Sequence, residues 1–304
     1  MTLLIGSLQL GLIYSLLALG VYVTFRILNT PDLTADGSFV LGMAVCAAMT
    51  TAGHPYLGIV LAIVAGALAG SVTGLFQTAL GIHPILSGIL TMSGLYSVNL
   101  LILGNRSNLS LIGVDTAFSI AQLLLPSLSK QAVLLLVSLA FCIVFSIILI
   151  WLMNTHLGLC VRATGNNPHM VSASSIDVSR TKVTALAIAN GFVALSGAVL
   201  AQYQGYADIS SGTGIITIGL ASVIIGEVFF GRKSVTIGLL GAVFGGVLYR
   251  LIVALALQND IFPAYMLKLV SAMIVVLALS IPRCKSAMAY YKIRKEAMAD
   301  AQAQ

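Results

Sequence analysis

The stretch NTHLGLCVRATGNNPHMVSASSIDVSRTK, residues 154–182, decides how this chain is organised. It is a polar run between two apolar segments, Ala132–Met153 and Val183–Tyr203. Each of these segments is long enough to cross a hydrocarbon core of about 30 Å, which takes about 20 helical residues. In a chain that is apolar almost everywhere else, a polar loop of this length is best explained as a binding site for a partner protein outside the membrane. The loop therefore indicates transport driven by a partner protein.

Composition excludes an ordinary soluble protein. The chain has 304 residues, of which 59% are hydrophobic and 8% charged, and its mean hydropathy is +1.05. Soluble domains carry about 25% charged residues. No run between apolar segments is long enough for a soluble domain, so we expect residues 1–304 to form one integral membrane domain.

Nine apolar segments predict an all-α fold, a polytopic transmembrane bundle of roughly 8–10 helices that includes short or broken ones. The second and seventh segments are short and contain glycine, so they are candidates for broken or re-entrant helices bordering a pathway. The segments are Leu3–Phe25, Ser38–Ala52, Tyr56–Phe76, Ile85–Leu103, Ala132–Met153, Val183–Tyr203, Gly214–Phe230, Val235–Leu257 and Ala264–Ile281.

The distribution of Lys and Arg predicts the orientation, because cytoplasmic loops carry the excess of basic residues. Basic residues concentrate in the loop 154–182, in the turn Gly231–Ser234 and in the tail 283–304. With nine alternating crossings, all three regions fall on one side. We therefore expect a cytoplasmic loop, turn and tail, and an external N-terminus.

The sequence shows no catalytic or nucleotide-binding motif. It lacks the phosphate-binding pattern G-x-x-x-x-G-K-[ST], H-E-x-x-H and G-x-S-x-G. Its four cysteines have no metal-ligand spacing. We therefore expect no enzyme activity, cofactor or metal on this chain, and any energy for uphill transport must come from another chain or from an ion gradient.

Within the polar loop, Asn167 precedes Pro168, an arrangement that predicts a helix with asparagine as its cap and proline at its first position. We expect a short amphipathic helix whose apolar contacts are Met170, Val171 and Ile176. An interfacial helix lying on lipid is the alternative interpretation.

Polar residues inside the segments are candidates for a translocation path, because they can hydrogen-bond a passing solute. Interhelical bonds, which contribute about 0.6 kcal/mol on average in bilayers, are an equal alternative. The candidates are Tyr14, Ser93, Tyr96, Asn99 and Asn190.

Charged residues near the segments suggest further roles. Arg250 and Lys268 are candidates for attracting an anionic group or a docking protein at the external side, and snorkelling to the interface is the alternative. Glu227 is expected to pair with Arg232 and Lys233 nearby in sequence. No carboxylate is expected at a segment centre, which argues against a secondary transporter driven by an ion gradient.

Several motifs resemble one known family. The chain is similar to permease subunits of ATP-binding-cassette (ABC) importers of the branched-chain amino-acid and ribose type, over nearly its whole length. The motifs are GLIYSLLALGVYVTFRILN (Gly11–Asn29), DLTADGSFVLG (Asp32–Gly42), GLCVRATGNNPHMV (Gly158–Val171), SIDVSRTK (Ser175–Lys182), ALSGAVLA (Ala194–Ala201) and GLASVIIG (Gly219–Gly226).

The resemblance implies partners and a coupling site. Such permeases work as pairs with two cytoplasmic ATPase subunits, which hold ATP and Mg, and with an external solute-binding protein, in the bacterial plasma membrane. The loop would enter a cleft on the ATPase as a coupling helix. By this likeness the coupling residues are Arg162, Gly165, Asn166, Asn167, Pro168, His169, Met170 and Ile176.

The chain departs from the family at GEVFFGRKS, residues 226–234, where many members have a glycine-rich turn. This variant resembles a less characterised branch linked to uptake of amino acids, including aromatic ones, which favours a homodimer. A heterodimer and a sugar or nucleoside substrate stay open as alternatives.

Overall fold

The computed structural model describes residues 2–231 and 234–258, together with residues 269, 272, 273, 276 and 280. The described residues form a helical bundle, as predicted, and one two-stranded sheet that was not predicted. The helices are α1 (Thr2–Tyr22), α2 (Thr34–Thr51), α3 (Pro55–Thr78), α4 (Pro84–Ile102), α5 (Ala117–Leu124), α6 (Lys130–Asn154), α7 (His156–Asn166), α8 (Pro168–Ala173), α9 (Val178–Gln204), α10 (Ile215–Phe230) and α11 (Val235–Gln258).

Seven of the described segments are long and apolar enough to cross a membrane. They correspond to seven of the nine predicted segments. The second predicted segment forms α2 but is not among the seven, and the ninth, Ala264–Ile281, lies mostly outside the described residues. The protein is a multi-pass membrane protein.

Short non-α elements join the helices. A π-helical turn, Val23–Ile27, continues α1, and a 3₁₀ turn, Ile209–Gly212, precedes α10. Strands β1 (Asn108–Ser110) and β2 (Tyr206–Asp208) pair antiparallel. We call the end of the bundle that carries α7 and α8 the loop end, and the opposite end, which carries this sheet, the far end.

Helix α9 forms the centre of the bundle. It packs against α1, α2 and α3, and every residue from Ala189 to Gln202 is buried. Its 27 residues extend over about 40 Å. Because α9 runs from the loop end to the far end, the position of a contact along α9 shows how deep in the bundle the contacting residue lies.

Glycines bring the helices together. A Cβ at Gly66, Gly70 or Gly74 of α3 would overlap α9 at Asn190 or Ala194, at Leu186 and at Val183, respectively. Small residues allow such close approach between membrane helices. This glycine series is therefore used for packing within one chain.

The outward faces of α3, α4 and α6 are apolar and exposed, as expected for surfaces in contact with lipid. Their exposed side chains include Val60, Val64, Leu68, Ile89, Leu90, Ile143, Ile147 and Trp151.

Candidate functional site

The loop between α6 and α9 forms two helices, α7 and α8. Asn167 caps α8 as predicted: its Oδ1 accepts hydrogen bonds from the backbone N–H groups of His169 and Met170, each at 3.1 Å. Pro168 occupies the first turn, where its missing N–H costs no hydrogen bond. The cap and the proline together fix where this short helix begins.

The apolar contacts of α8 are only partly as predicted. Val171 is buried and Ile176 is half-buried, but 69% of Met170 is exposed. A helix of six residues presents one narrow face to the bundle, and Val171 occupies that face. Met170 therefore points away from the bundle, where it is available to a partner.

The preceding helix, α7, is seated against the end of α1. A Cβ at Gly165 would overlap the carbonyl oxygen of Ile27 in the π-helical turn. Val161 and Thr164 are buried on the same side of α7. This glycine lets the two backbones touch, so a displacement of α7 must also displace the π-helical turn.

Arg162 and Asn166 lie beside the same turn. They line a polar cavity of about 360 Å³ together with Arg26 and with Ser234 at the start of α11. The loop 154–182 and the turn before α11 thus share one end of the bundle, as their basic residues predicted.

An ion pair connects the π-helical turn to α10. Arg26 Nε contacts the carboxylate of Glu227, and the side chains are 27% and 10% exposed. Glu227 was expected to pair with Arg232 and Lys233, which lie outside the described residues. In the structure the partner of Glu227 is Arg26, which is distant in sequence. The two side chains meet because α1 and α10 end at the same end of the bundle.

The beginnings of α2 and α10 meet inside the bundle. Asp36, in the first turn of α2, accepts hydrogen bonds from the backbone N–H groups of Gly214 and Ile216, each at 2.9 Å. A Cβ at Gly212 would overlap the carbonyl oxygen of Asp36. From this meeting point α2 runs toward the far end and α10 runs toward the loop end.

The meeting point lies near the middle of the bundle. Asn190, close to the midpoint of α9, donates a hydrogen bond of 2.7 Å to the carboxylate of Asp32, which stands just ahead of α2. With 18 and 16 residues, α2 and α10 extend over about 27 Å and 24 Å. Both helices are short, as predicted, but neither is broken internally.

A cavity of about 420 Å³ adjoins the meeting point. Three predicted path residues of α4, Ser93, Tyr96 and Asn99, line it together with Asp36 of α2 and Gly212 of the 3₁₀ turn. Cavities of this size are typical of small-molecule sites. Helix N-termini that lie at mid-depth are also a recurrent feature of solute sites in transporters.

The other two predicted path residues lie elsewhere. Tyr14 stacks on Phe39, with ring centroids 6.2 Å apart. The amide of Asn190 donates to Asp32 and to the carbonyl of Leu186. Neither lines the cavity, so in this conformation both residues hold helices together.

The external charge candidates are only partly described. The guanidinium of Arg250 lies 4.0 Å from the ring centroid of Tyr14, and its buried Nε has no hydrogen-bond partner among the described residues. Arg250 is thus held between α1 and α11 rather than extended to the surface. Lys268 lies outside the described residues.

Sequence reasoning missed Asp32 and Asp36. The apolar segment was predicted to begin at Ser38, which placed both carboxylates outside the bundle. No carboxylate was expected at a segment centre, and both carboxylates indeed lie at the start of α2, but the packing places them at mid-depth in the bundle. Their spacing just ahead of an unusually short apolar segment is the signal that could have revealed them.

Comparison with known proteins places the chain among transport components. Residues 3–279 match the family described as branched-chain amino acid transport system / permease component. The tyrosine transport system permease protein of Clostridioides difficile (strain R20291) is 34% identical over 267 residues, which are 88% of this chain and 86% of that protein. An uncharacterized protein of Rickettsia prowazekii (strain Madrid E) is 34% identical over 284 residues, 92% of this chain and 98% of that protein. No solved structure matches significantly.

Proposed function

Since this chain belongs to the family of permease components of branched-chain amino-acid transport systems, we propose that it is the permease subunit of an ATP-driven importer for an amino acid. The similarity to a tyrosine transport permease favours an aromatic substrate, and a branched-chain amino acid is the neighbouring possibility. The chain itself would form the path, and ATP hydrolysis would take place on a separate ATPase.

The observation that supports this proposal most strongly is the way the loop 154–182 packs against the bundle. α8 is capped by Asn167 and exposes Met170 and His169, a surface that suits a partner protein. α7 behind it touches the π-helical turn through Gly165. A push on α8 is therefore transmitted to α1 rather than absorbed by a loose loop.

From α1 the displacement has a route to the cavity. Arg26 links the π-helical turn to Glu227 near the end of α10, and the start of α10 is bonded to Asp36 at the cavity wall. Helix α10 thus connects the loop end to mid-depth as one rigid element. We propose that closure of the ATPase moves α10 and changes access to the cavity.

The complete importer would contain further chains. Two copies of this permease, two ATPase subunits that bind ATP and Mg, and an external solute-binding protein would assemble in the bacterial plasma membrane, with the loop end facing the cytoplasm. A homodimer is favoured because the resembling branch uses one type of permease.

An ion-gradient-driven transporter is the second candidate. The buried carboxylate of Asp32 and the carboxylate of Asp36 at mid-depth are the observations that favour it, because such carboxylates bind coupling ions in secondary transporters. The family match and the packing of the loop 154–182 against α1 weigh more than these two carboxylates, because a secondary transporter needs no partner protein at the loop end.

Tag-based purification from the native host, followed by mass spectrometry, tests the proposal. We expect recovery of an ATPase and an external binding protein. As a control, a variant in which residues 166–169 are replaced by a Gly-Ser segment should keep its fold and lose the ATPase. Recovery of the ATPase with this variant at the wild-type level would contradict the coupling assignment.

A further inference from the structure

We propose that the cavity beside Asp36 binds a protonated amine of the transported solute, with the carboxylate of Asp36 and Oδ1 of Asn99 as its two acceptors. This inference rests on the proposed transport function, which it deepens by naming the group that the permease recognises.

The first observation is an unsatisfied acceptor on a residue that lines the cavity. Asn99 is 1% exposed, and its Nδ2 donates to the carbonyl of Gly37 at 3.2 Å. That carbonyl is an acceptor, so it fixes which side of the amide is nitrogen. The opposite atom, Oδ1, is buried and has no hydrogen-bond partner among the described residues. A buried acceptor without a partner is unfavourable, and a donor from a ligand would remove this cost.

The second observation is the charge of the wall. Asp36 is the sole charged residue among those that line the cavity, and none of them is basic. Each carboxylate oxygen of Asp36 accepts one backbone N–H, which holds the group in place. A carboxylate has about four acceptor positions, so at least one is left for a further donor. An ammonium, with three donors, suits a cavity whose lining residues carry these acceptors.

The remaining residues that line the cavity indicate which chemical groups the rest of the solute carries. Val40, Met92 and Ile209 give the cavity an apolar surface, and Tyr96 adds an aromatic ring. Such a surface suits an apolar or aromatic side chain. Among the described residues that line the cavity, none is basic, so these residues offer no ionic partner to a carboxylate on the solute. We therefore infer that the permease recognises the amine and the side chain of its substrate at this cavity.

Charge-selective thiol labelling tests this inference without any transport assay. Ser93, which lines the cavity and is exposed, is replaced by Cys in the full chain in membrane vesicles, with Cys160 and Cys284 replaced by Ser. The labelling rates of a cationic and an anionic methanethiosulfonate reagent are then compared with those at Ser127→Cys, an exposed reference position outside the cavity. A charged cleft raises the local concentration of counter-ions by tenfold or more, so we expect the cation/anion ratio at position 93 to exceed the reference by about tenfold.

A matched pair of variants assigns the selectivity to Asp36. Asp36→Asn should reduce the ratio to that of the reference position, whereas Asp115→Asn, which removes the same charge outside the cavity, should leave it unchanged. A ratio at position 93 equal to the reference, or one unaffected by Asp36→Asn, would overturn the inference.

Because Asp36→Asn also changes a contact of α10, a second measurement keeps Asp36 intact. Tyramine, which has the amine and no carboxylate, should slow labelling at position 93, and 3-(4-hydroxyphenyl)propionate, which has the carboxylate and no amine, should not. Equal protection by the two compounds would sink the idea. None of these readouts needs an ATPase, so their failure is distinguishable from failure of the importer proposal.

Discussion

Removing the cap of α8 should weaken the binding of the proposed ATPase without unfolding the permease. In Asn167→Ala the backbone N–H groups of His169 and Met170 lose their acceptor. Loss of an asparagine cap costs about 1 kcal/mol. A helix of six residues has little stability of its own, so the cost falls on the local order of α8 rather than on the whole bundle.

The expected result is a weaker complex. A loss of about 1 kcal/mol corresponds to about a fivefold drop in the population of ordered α8, and affinity for the ATPase should fall by the same factor. The affinity is measured by titrating the purified ATPase against the permease in nanodiscs, and the thermal unfolding of the permease is followed in parallel.

Two controls separate the cap from the loss of an asparagine. Asn167→Asp keeps a good capping group and should keep most of the affinity. Asn154→Ala removes an exposed side chain that bonds only to Ile150 in its own helix and should change nothing. Wild-type affinity in Asn167→Ala, or equal losses in Asn167→Ala and Asn167→Asp, would refute the reasoning.

Three further substitutions test the packing of the bundle, two on the route from the loop to the cavity and one between α2, α3 and α4. Glu227→Gln leaves a largely buried Arg26 without its carboxylate, and a double-mutant cycle between the two should give a coupling of about 0.5–3 kcal/mol; a value near zero would contradict the link. Thr73→Val removes a buried hydroxyl that lies between two other threonine hydroxyls at 2.8 and 2.9 Å. It should destabilise by about 1–3 kcal/mol in denaturant unfolding, whereas Thr78→Val, whose hydroxyl bonds only within its own helix, should have a much smaller effect. Gly165→Ala places a Cβ against a backbone oxygen of the π-helical turn, so it should reduce ATPase stimulation by transported solute, and normal stimulation would show that α7 need not touch α1.

Much of the fold was predictable because the bilayer limits what a chain can do. Membrane spans must be helical so that the backbone satisfies its own hydrogen bonds, and apolar length alone located seven spans. Local chemistry was equally informative: the dipeptide Asn167–Pro168 predicted the start of α8, because capping depends on neighbouring residues only.

The cavity was only partly predictable because it depends on contacts between distant residues. Asp36 meets the start of α10 at Gly214 and Ile216, 178 and 180 residues away, and no local pattern reports such a contact. Asn99 and Asn190 were both predicted as path residues because both are polar. In the structure Asn99 lines the cavity, whereas Asn190 donates a hydrogen bond to Asp32. The sequence pattern can therefore identify candidate polar residues, but helix packing determines which of them line a cavity.

The energy source of transport is the most direct test of this account. Permease, ATPase and binding protein are reconstituted in proteoliposomes with ATP on the ATPase side, and uptake of labelled tyrosine and leucine is followed with and without an ionophore. We predict uptake of at least one of the two that requires hydrolysable ATP and persists when the ion gradient is collapsed. Uptake that proceeds without ATP and stops with the ionophore would contradict the account, and would assign Asp32 and Asp36 to ion coupling instead.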